Sequence, residues 1–303
     1  MTPLLDLMDK ATAPAARFVL GGPFGSEPVE TSCERLTHFA DLGGLLVETS
    51  RSYARGAAEQ AVGQWMRKNP GTLGVVTKVG HDLTGQDIPL SRQTVHAEVR
   101  KSLDALAVDS IEVLLLHCDD PRRPVAELAD TLASLVDAGY ARRIGVSNWP
   151  ADRLAALARD LTERSHQAVA SYQFSLAEPD PHRLGGSLHA SPEILAVIRD
   201  HALPLLSWSA QARGYFARDE AKSLNSRPDP FDTPTNRTRR AHCVELAAHL
   251  DTRPETVALA WTLHHPNVWP SIGPKTTEQF DHSLEAIHLS LTGEQLTWLT
   301  SGA

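Results

Sequence analysis

The sequence predicts an α/β fold: a (β/α)8 TIM barrel of parallel strands, with a long loop and extra helices between strands seven and eight. Three observations predict it. Short runs rich in Val, Leu and Ile alternate along the chain with segments of helical period. Most of those runs are continuously apolar, as strands covered on both faces require. Eight such runs are present, whereas an open doubly wound sheet needs about six.

In chain order the candidate strands are Phe18–Leu20, Leu45–Glu48, Gly74–Thr77, Val113–Leu116, Ile144–Ser147, Ala168–Tyr172, Leu205–Trp208 and Val268–Ile272. Amphipathic helices lie between them. Val95, Val99, Leu103 and Leu106 share one helical face, as do Val125, Leu128, Leu132 and Leu135, and then Leu154, Leu157 and Leu161. Gly139 stands where a helix ends before the strand at Ile144. Ser147-Asn148-Trp149-Pro150 closes the fifth strand and opens the next helix. Alternation of strand and helix calls for parallel strands joined by crossovers. After the seventh strand comes a polar, Pro-bearing loop from Arg213 to Asn236, then helical stretches at Arg237–Leu250 and Glu255–Leu263. No linker or low-complexity tract interrupts the chain, so residues 1–303 read as one barrel domain. The surplus over about 250 residues sits mainly in that long stretch, as a lid at a barrel mouth would.

The chain has 303 residues, with 29 Lys and Arg against 37 Asp and Glu, a net charge of −8. That balance argues against broad electrostatic binding to nucleic acid. Cys33, Cys118 and Cys243 are far apart and form no CxxC, which fits a reducing compartment and gives no zinc cluster. Met1 to Arg17 carries Asp6 and Asp9 and lacks the apolar core of a secretory signal. No stretch approaches the roughly 18 apolar residues of a membrane span. The expectation is a cytoplasmic protein with neither a nucleic-acid nor a membrane partner; oligomeric state is left open.

In such a barrel the chemistry sits at the C-terminal ends of the strands. Glu48 ends strand two, with Tyr53 in the loop beyond. Lys78 follows strand three, His117 strand four and Gln173 strand six, while Ser147 and Asn148 end strand five. Ser207 and Ser209 flank Trp208, and Gly273, Lys275 and Thr276 follow strand eight. Each alone has a plain structural reading: a salt-bridge partner, a satisfied core histidine, the start of a loop. On consecutive strand ends an acid, a tyrosine, a lysine and a histidine together are far more specific.

Taken in order, these motifs resemble the aldo-keto reductase family. Leu46-Val47-Glu48-Thr49-Ser50 followed by Tyr53-Ala54-Arg55-Gly56 and Glu59 is similar to its pattern of an aspartate on strand two five residues before a tyrosine. Thr77-Lys78, Leu114-Leu115-Leu116-His117 and Gly145-Val146-Ser147-Asn148 match its strand-three lysine, strand-four histidine and strand-five cofactor motif. Gln173 stands at its nicotinamide-binding glutamine, and Trp208 where an aromatic stacks on the nicotinamide. Gly273-Pro274-Lys275-Thr276-Thr277-Glu278-Gln279 resembles its strand-eight motif for the adenosine end. The resemblance runs from about Phe18 to the C-terminus. It implies an NADPH-dependent carbonyl reductase acting on a small-molecule aldehyde or ketone, with the cofactor extended across the barrel mouth. The absence of a GxGxxG between strand and helix agrees.

The resemblance also implies roles. Ser209 and Gln211 would hydrogen-bond the cofactor pyrophosphate and Arg213 would pair with it. Lys275 is the candidate for the 2′-phosphate of NADP, with Thr276 as a hydroxyl partner. Gln279 stands where many relatives have arginine, so NADH is allowed as well as NADPH. Hydride addition to a carbonyl builds negative charge on its oxygen, which needs a proton donor and polar groups around it. A phenol has a free pKa of about 10, and a neighbouring ammonium favours its ionised form. Tyr53 therefore serves as donor, Lys78 as its cationic partner, Glu48 as the support of Lys78, and His117 as the group that orients the carbonyl.

One departure stands out, Glu48 in place of the family's aspartate. It admits an alternative, a cofactor-binding redox-sensing or regulatory subunit with little turnover. A third reading uses Lys78 as a Schiff base in a barrel aldolase. Phe24, Arg51 and Trp149 are the substrate candidates: an apolar wall from the two aromatics, and an arginine for an anionic or polyhydroxylated group. Asp119-Asp120 reads as loop acids or a salt bridge, and His264-His265 as a helix end, so no metal is expected.

Overall fold

The computed structural model describes residues 12–218 and 229–301. All eight candidate strands form: β1 (Val19–Leu20), β2 (Leu46–Glu48), β3 (Gly74–Val79), β4 (Ile111–Leu116), β5 (Ala141–Ser147), β6 (Ala168–Gln173), β7 (Leu205–Trp208) and β8 (Val268–Ile272). They close a barrel in sequence order. Pairing is parallel from β1 through β6, with Val19 beside Leu46, Glu48 beside Val76, Lys78 beside Leu115 and Ile144 beside Ala168. Val47, Val76, Leu114, Leu115 and Val146 are buried, which is why their strands read as continuous apolar runs.

Helices at Val29–Asp41, Ala57–Lys68, Arg92–Leu106, Val125–Asp137, Ala151–Glu163 and Pro192–Asp200 make the crossovers. Their ends follow local chemistry. The Ser91 hydroxyl accepts from the Thr94 amide at 3.1 Å and caps Arg92–Leu106. Gly139, left-handed at φ +74°, follows the helix that ends at Asp137. After β7 come Pro234–His249 and Pro254–Leu263, close to the expected bounds, and after β8 come Thr277–His288 and Gly293–Thr300. Residues 219–228 of the expected Arg213–Asn236 loop lie outside the described residues, as do 1–11 of the N-terminal stretch. No described helix is long and apolar enough to cross a membrane.

The chain divides into two compact units, Met1–Ser171 with Ser191–Leu206, and Tyr172–Ala190 with Ser207–Ala303. In the first, two glycines permit close backbone approach. A Cβ on Gly145 would stand 1.9 Å from the Val169 carbonyl oxygen, and one on Gly63 would stand 2.0 Å from that of Ala105. No side chain fits at either place.

In the second unit Arg239 is buried, donating to the Leu176 carbonyl at 2.9 Å, the Thr300 carbonyl at 3.3 Å and Glu178 Oε1 at 2.9 Å. Asn236 is buried as well, bonding the Glu178 and Phe231 carbonyls at 2.7 and 2.8 Å. A guanidinium with this many acceptors is a pin between segments. Arg237, by contrast, remains on the surface with Asp232.

Candidate active site

Four side chains of the first unit converge where β2, β3 and β4 end. Lys78 is 1% exposed. Its Nζ donates to Glu48 Oε1, to the Thr49 carbonyl at 3.2 Å and to the Tyr53 hydroxyl at 3.4 Å. An ammonium has three donors, and these are three acceptors. Burial alone would push the Lys78 pKa down, but the Glu48 carboxylate and then Tyr53 more than offset it, and the net shift is upward. Lys78 is therefore a cation throughout the neutral range. The longer Glu48 keeps the pair that the shorter family residue would make. Tyr53 is 41% exposed, so its hydroxyl is tethered by Lys78 while its ring remains open to a ligand.

His117 completes the cluster. Its ring meets that of Tyr53 edge-on at 5.7 Å. Burial, then the charges of Lys78 and His81, lower its pKa to about 2, so the imidazole is neutral. Nδ1 lies 3.1 Å from Ser50 Oγ, and its backbone amide donates to Val79 at 2.8 Å. Ser50 received no role from the sequence, although it stands between Glu48 and Tyr53. It fixes one ring nitrogen, which leaves Nε2 for another partner. Immediately after Tyr53, Ala54, Arg55 and Gly56 are all left-handed, with φ of 48°, 55° and 88°. This costly conformation in the two non-glycine residues directly follows the Tyr53 side chain.

The substrate candidates stand differently. Phe24 is 2% exposed, with the Arg35 guanidinium 6.0 Å from its ring, and Trp149 is 0% exposed. The Trp149 indole donates to the Cys118 carbonyl at 3.1 Å and Arg153 packs 5.3 Å from its ring. Neither aromatic offers a surface, so the expected apolar wall at these positions is corrected: both are packing residues. Arg51 faces Glu98 at 3.5 Å and Glu59 at 3.9 Å. Glu59 is fully buried, accepts from the Thr77 hydroxyl at 2.7 Å, and has its pKa raised by that burial. Arg51 thus has two carboxylates of its own chain for partners. Asp119 pairs with Arg153 and Asp120 with Arg122, as salt bridges.

The strand-five motif is built into the same unit. Ser147 donates to the Ser171 carbonyl at 3.0 Å. Asn148, left-handed at φ +61°, places its amide on the His117 carbonyl at 3.3 Å and on Ser147 Oγ at 3.0 Å.

The second unit carries the remaining cofactor candidates. Gln173, the last residue of β6, is buried, and its amide donates to Ser175 Oγ at 2.9 Å. Trp208 ends β7 half-exposed, followed by Ser209 at φ +51°. The Gln211 amide lies 3.3 Å from Ser283 Oγ. Ala212-Arg213-Gly214 then repeats the tripeptide after Tyr53, again with three left-handed residues, and holds Arg213 exposed. Gly273, Lys275, Thr276 and Gln279 are all exposed. Thr276 caps the helix Thr277–His288 by accepting from the Gln279 amide at 3.2 Å, and Gln279 Oε1 accepts from the Lys275 amide at 2.8 Å. A lysine at a helix N-terminus favours an anion by charge and by dipole.

The sequence model of the aldo/keto reductase family matches residues 19–301. The chain belongs to the aldo/keto reductase family. As a member it is an oxidoreductase of carbonyl and alcohol groups. Among its relatives, an aryl-alcohol dehydrogenase of Pestalotiopsis microspora is 27% identical over 93% of this chain and 74% of that protein. A norsolorinic acid reductase of Emericella nidulans is 28% identical over 90% and 72%. The fold is that of an aldo/keto reductase from Klebsiella pneumoniae solved with NADP and acetate. The TM-score is 0.73 and the identity 22%, over 93% of this chain and 89% of that one.

Proposed function

We propose that this aldo/keto reductase, acting as one domain, reduces a small-molecule aldehyde or ketone to the alcohol with NADPH, NADH serving less well. The observation that carries the proposal is the buried Lys78 ammonium, bonded at once to Glu48 and to the hydroxyl of the exposed Tyr53, beside a neutral His117. Bound NADPH supplies the hydride. The Tyr53 hydroxyl gives its proton to the carbonyl oxygen as charge builds there. Lys78 stabilises the phenolate that remains, and Glu48 holds Lys78 in place. His117, held through Nδ1 by Ser50, offers Nε2 to the carbonyl oxygen and orients it.

The residues present suit a dinucleotide phosphate. Arg213 and Lys275 are exposed cations, and Lys275 precedes a capped helix N-terminus. Within the second unit, Ser209, Gln211, Thr276 and Gln279 would bond its pyrophosphate and adenosine ends, Gln173 the nicotinamide amide, and Trp208 its ring. The solved relatives hold NADP or NADPH. The names of the curated relatives favour aromatic carbonyl compounds as the first substrates to assay. The free thiols fit a reducing, cytoplasmic setting.

Two observations support this reading over a regulatory subunit or an aldolase: Glu48 reaches Lys78, and Lys78 is held charged, whereas a Schiff base needs a neutral amine.

The test is Tyr53→Phe. Turnover of NADPH with an aryl aldehyde falls by about 10²–10⁴-fold, while NADPH binding, followed by its fluorescence, stays nearly unchanged. Full activity in Tyr53→Phe overturns the assignment.

A further inference from the structure

We propose that His81, Asp87 and Cys118 form a binding site for one zinc-class divalent transition-metal ion. The site lies outside the Glu48, Tyr53, Lys78 and His117 cluster and does not depend on the reductase reading. The spacing of the cysteines gave no zinc motif, but the fold brings a histidine and an aspartate from one loop onto the cysteine of another.

The ligand atoms of the three residues all lie within 4.8 Å of one another, and His81 Nε2 is 3.0 Å from Asp87 Oδ1. Around a tetrahedral ion with bonds of about 2.0–2.3 Å, donor atoms stand roughly 3–4 Å apart. Small side-chain rotations close the difference. The loop holding two of the ligands is preformed. His81 and Asp87 face each other in an isolated antiparallel bridge, flanked by backbone bonds from Asp82 to Gln86 at 2.8 Å and from Ile88 to Gly80 at 3.0 Å. Cys118 Sγ is brought to this loop, 3.6 Å from the Gly80 carbonyl oxygen.

The donor set selects the metal class. One thiolate, one imidazole and one carboxylate suit zinc, cobalt or cadmium, whereas magnesium and calcium ask for oxygen alone. Three protein ligands leave a fourth position open, as in zinc sites that exchange water or ligand. The Asp87 side chain is 70% exposed, so an ion can enter from solvent. On binding, the Cys118 S–H bond breaks, a sulfur–metal bond forms and the proton passes to solvent; no electron is transferred. The His81 ring also lies 4.3 Å from that of His117, so the ion would sit one ring away from the proposed carbonyl-orienting residue.

Cobalt(II) tests this on the full chain, reduced and stripped of metal. The expected result is one equivalent bound, with a near-ultraviolet thiolate-to-cobalt absorption band that zinc(II) abolishes by displacement. Cys118→Ser loses the band and Cys33→Ser keeps it. Asp87→Asn, at an exposed position that leaves the fold intact by circular dichroism, weakens zinc binding by about tenfold or more. The absence of the band in the native chain overturns the proposal, as does a band that survives Cys118→Ser or zinc affinity unmoved in Asp87→Asn.

Discussion

At the scale of single residues, Lys78 commits its three donors to Glu48, Thr49 and Tyr53, and each partner predicts a different loss. Glu48→Ala leaves a buried ammonium without its carboxylate. Thermal or denaturant unfolding should show it less stable by roughly 3–5 kcal/mol. Glu48→Asp keeps the charge but shortens the reach; its stability should stay closer to native while kcat changes, because proton transfer is sensitive to position. His117 predicts a pH dependence. In the unfolded chain it takes up a proton near 6.5, but folded it stays neutral down to about 2. Acidification therefore favours the unfolded state, and this loss begins as pH falls through 6.5. One unit lower it amounts to about 1.4 kcal/mol. His117→Asn should flatten that part of the stability profile; an unchanged slope would show that His117 is not the group responsible. The four cluster residues were legible because strand ends are, and apolar runs mark strand ends. Phe24 and Trp149 misled because an aromatic near a strand end has the same letters whether it lines a pocket or fills a core. Their burial in the folded chain, with Arg35 and Arg153 packed beside the rings, distinguishes the two.

At the scale of elements, the eight strands were readable since burial on both faces leaves an unbroken apolar signature. The helix bounds after β7 were nearly so, Pro234 and Pro254 being first-turn residues. The burial of Arg239 was not, because its acceptors come from Leu176, Glu178 and Thr300, far away in sequence. The metal ligands escaped for the same reason: His81 and Asp87 belong to one loop and Cys118 to another. Packing between Ala57–Lys68 and Arg92–Leu106 gives a test with an unambiguous sign. Alanine is about 1 kcal/mol better than glycine inside a helix. Yet Gly63→Ala should destabilise by about 1–3 kcal/mol in a denaturant titration, since its Cβ would strike the Ala105 carbonyl. A more stable Gly63→Ala protein would contradict the close approach.

At the scale of the whole molecule, a chain of net charge −8 is proposed to bind an anionic cofactor, so local cations must do the work. Lys275→Ala should weaken NADPH binding by several-fold and leave NADH binding nearly unchanged, as read by fluorescence titration. Equal losses for both cofactors would remove Lys275 from the 2′-phosphate. The central claim is that this barrel moves a hydride directly from cofactor to carbonyl carbon. Mass spectrometry of the alcohol formed from NADPH deuterated at C4 on the transferred face measures that step itself. One deuterium is expected on the former carbonyl carbon, with the yield of that alcohol about a hundredfold or more lower when Tyr53→Phe replaces the native protein over the same time. An alcohol formed without deuterium, or no alcohol from any aldehyde or ketone, would contradict it.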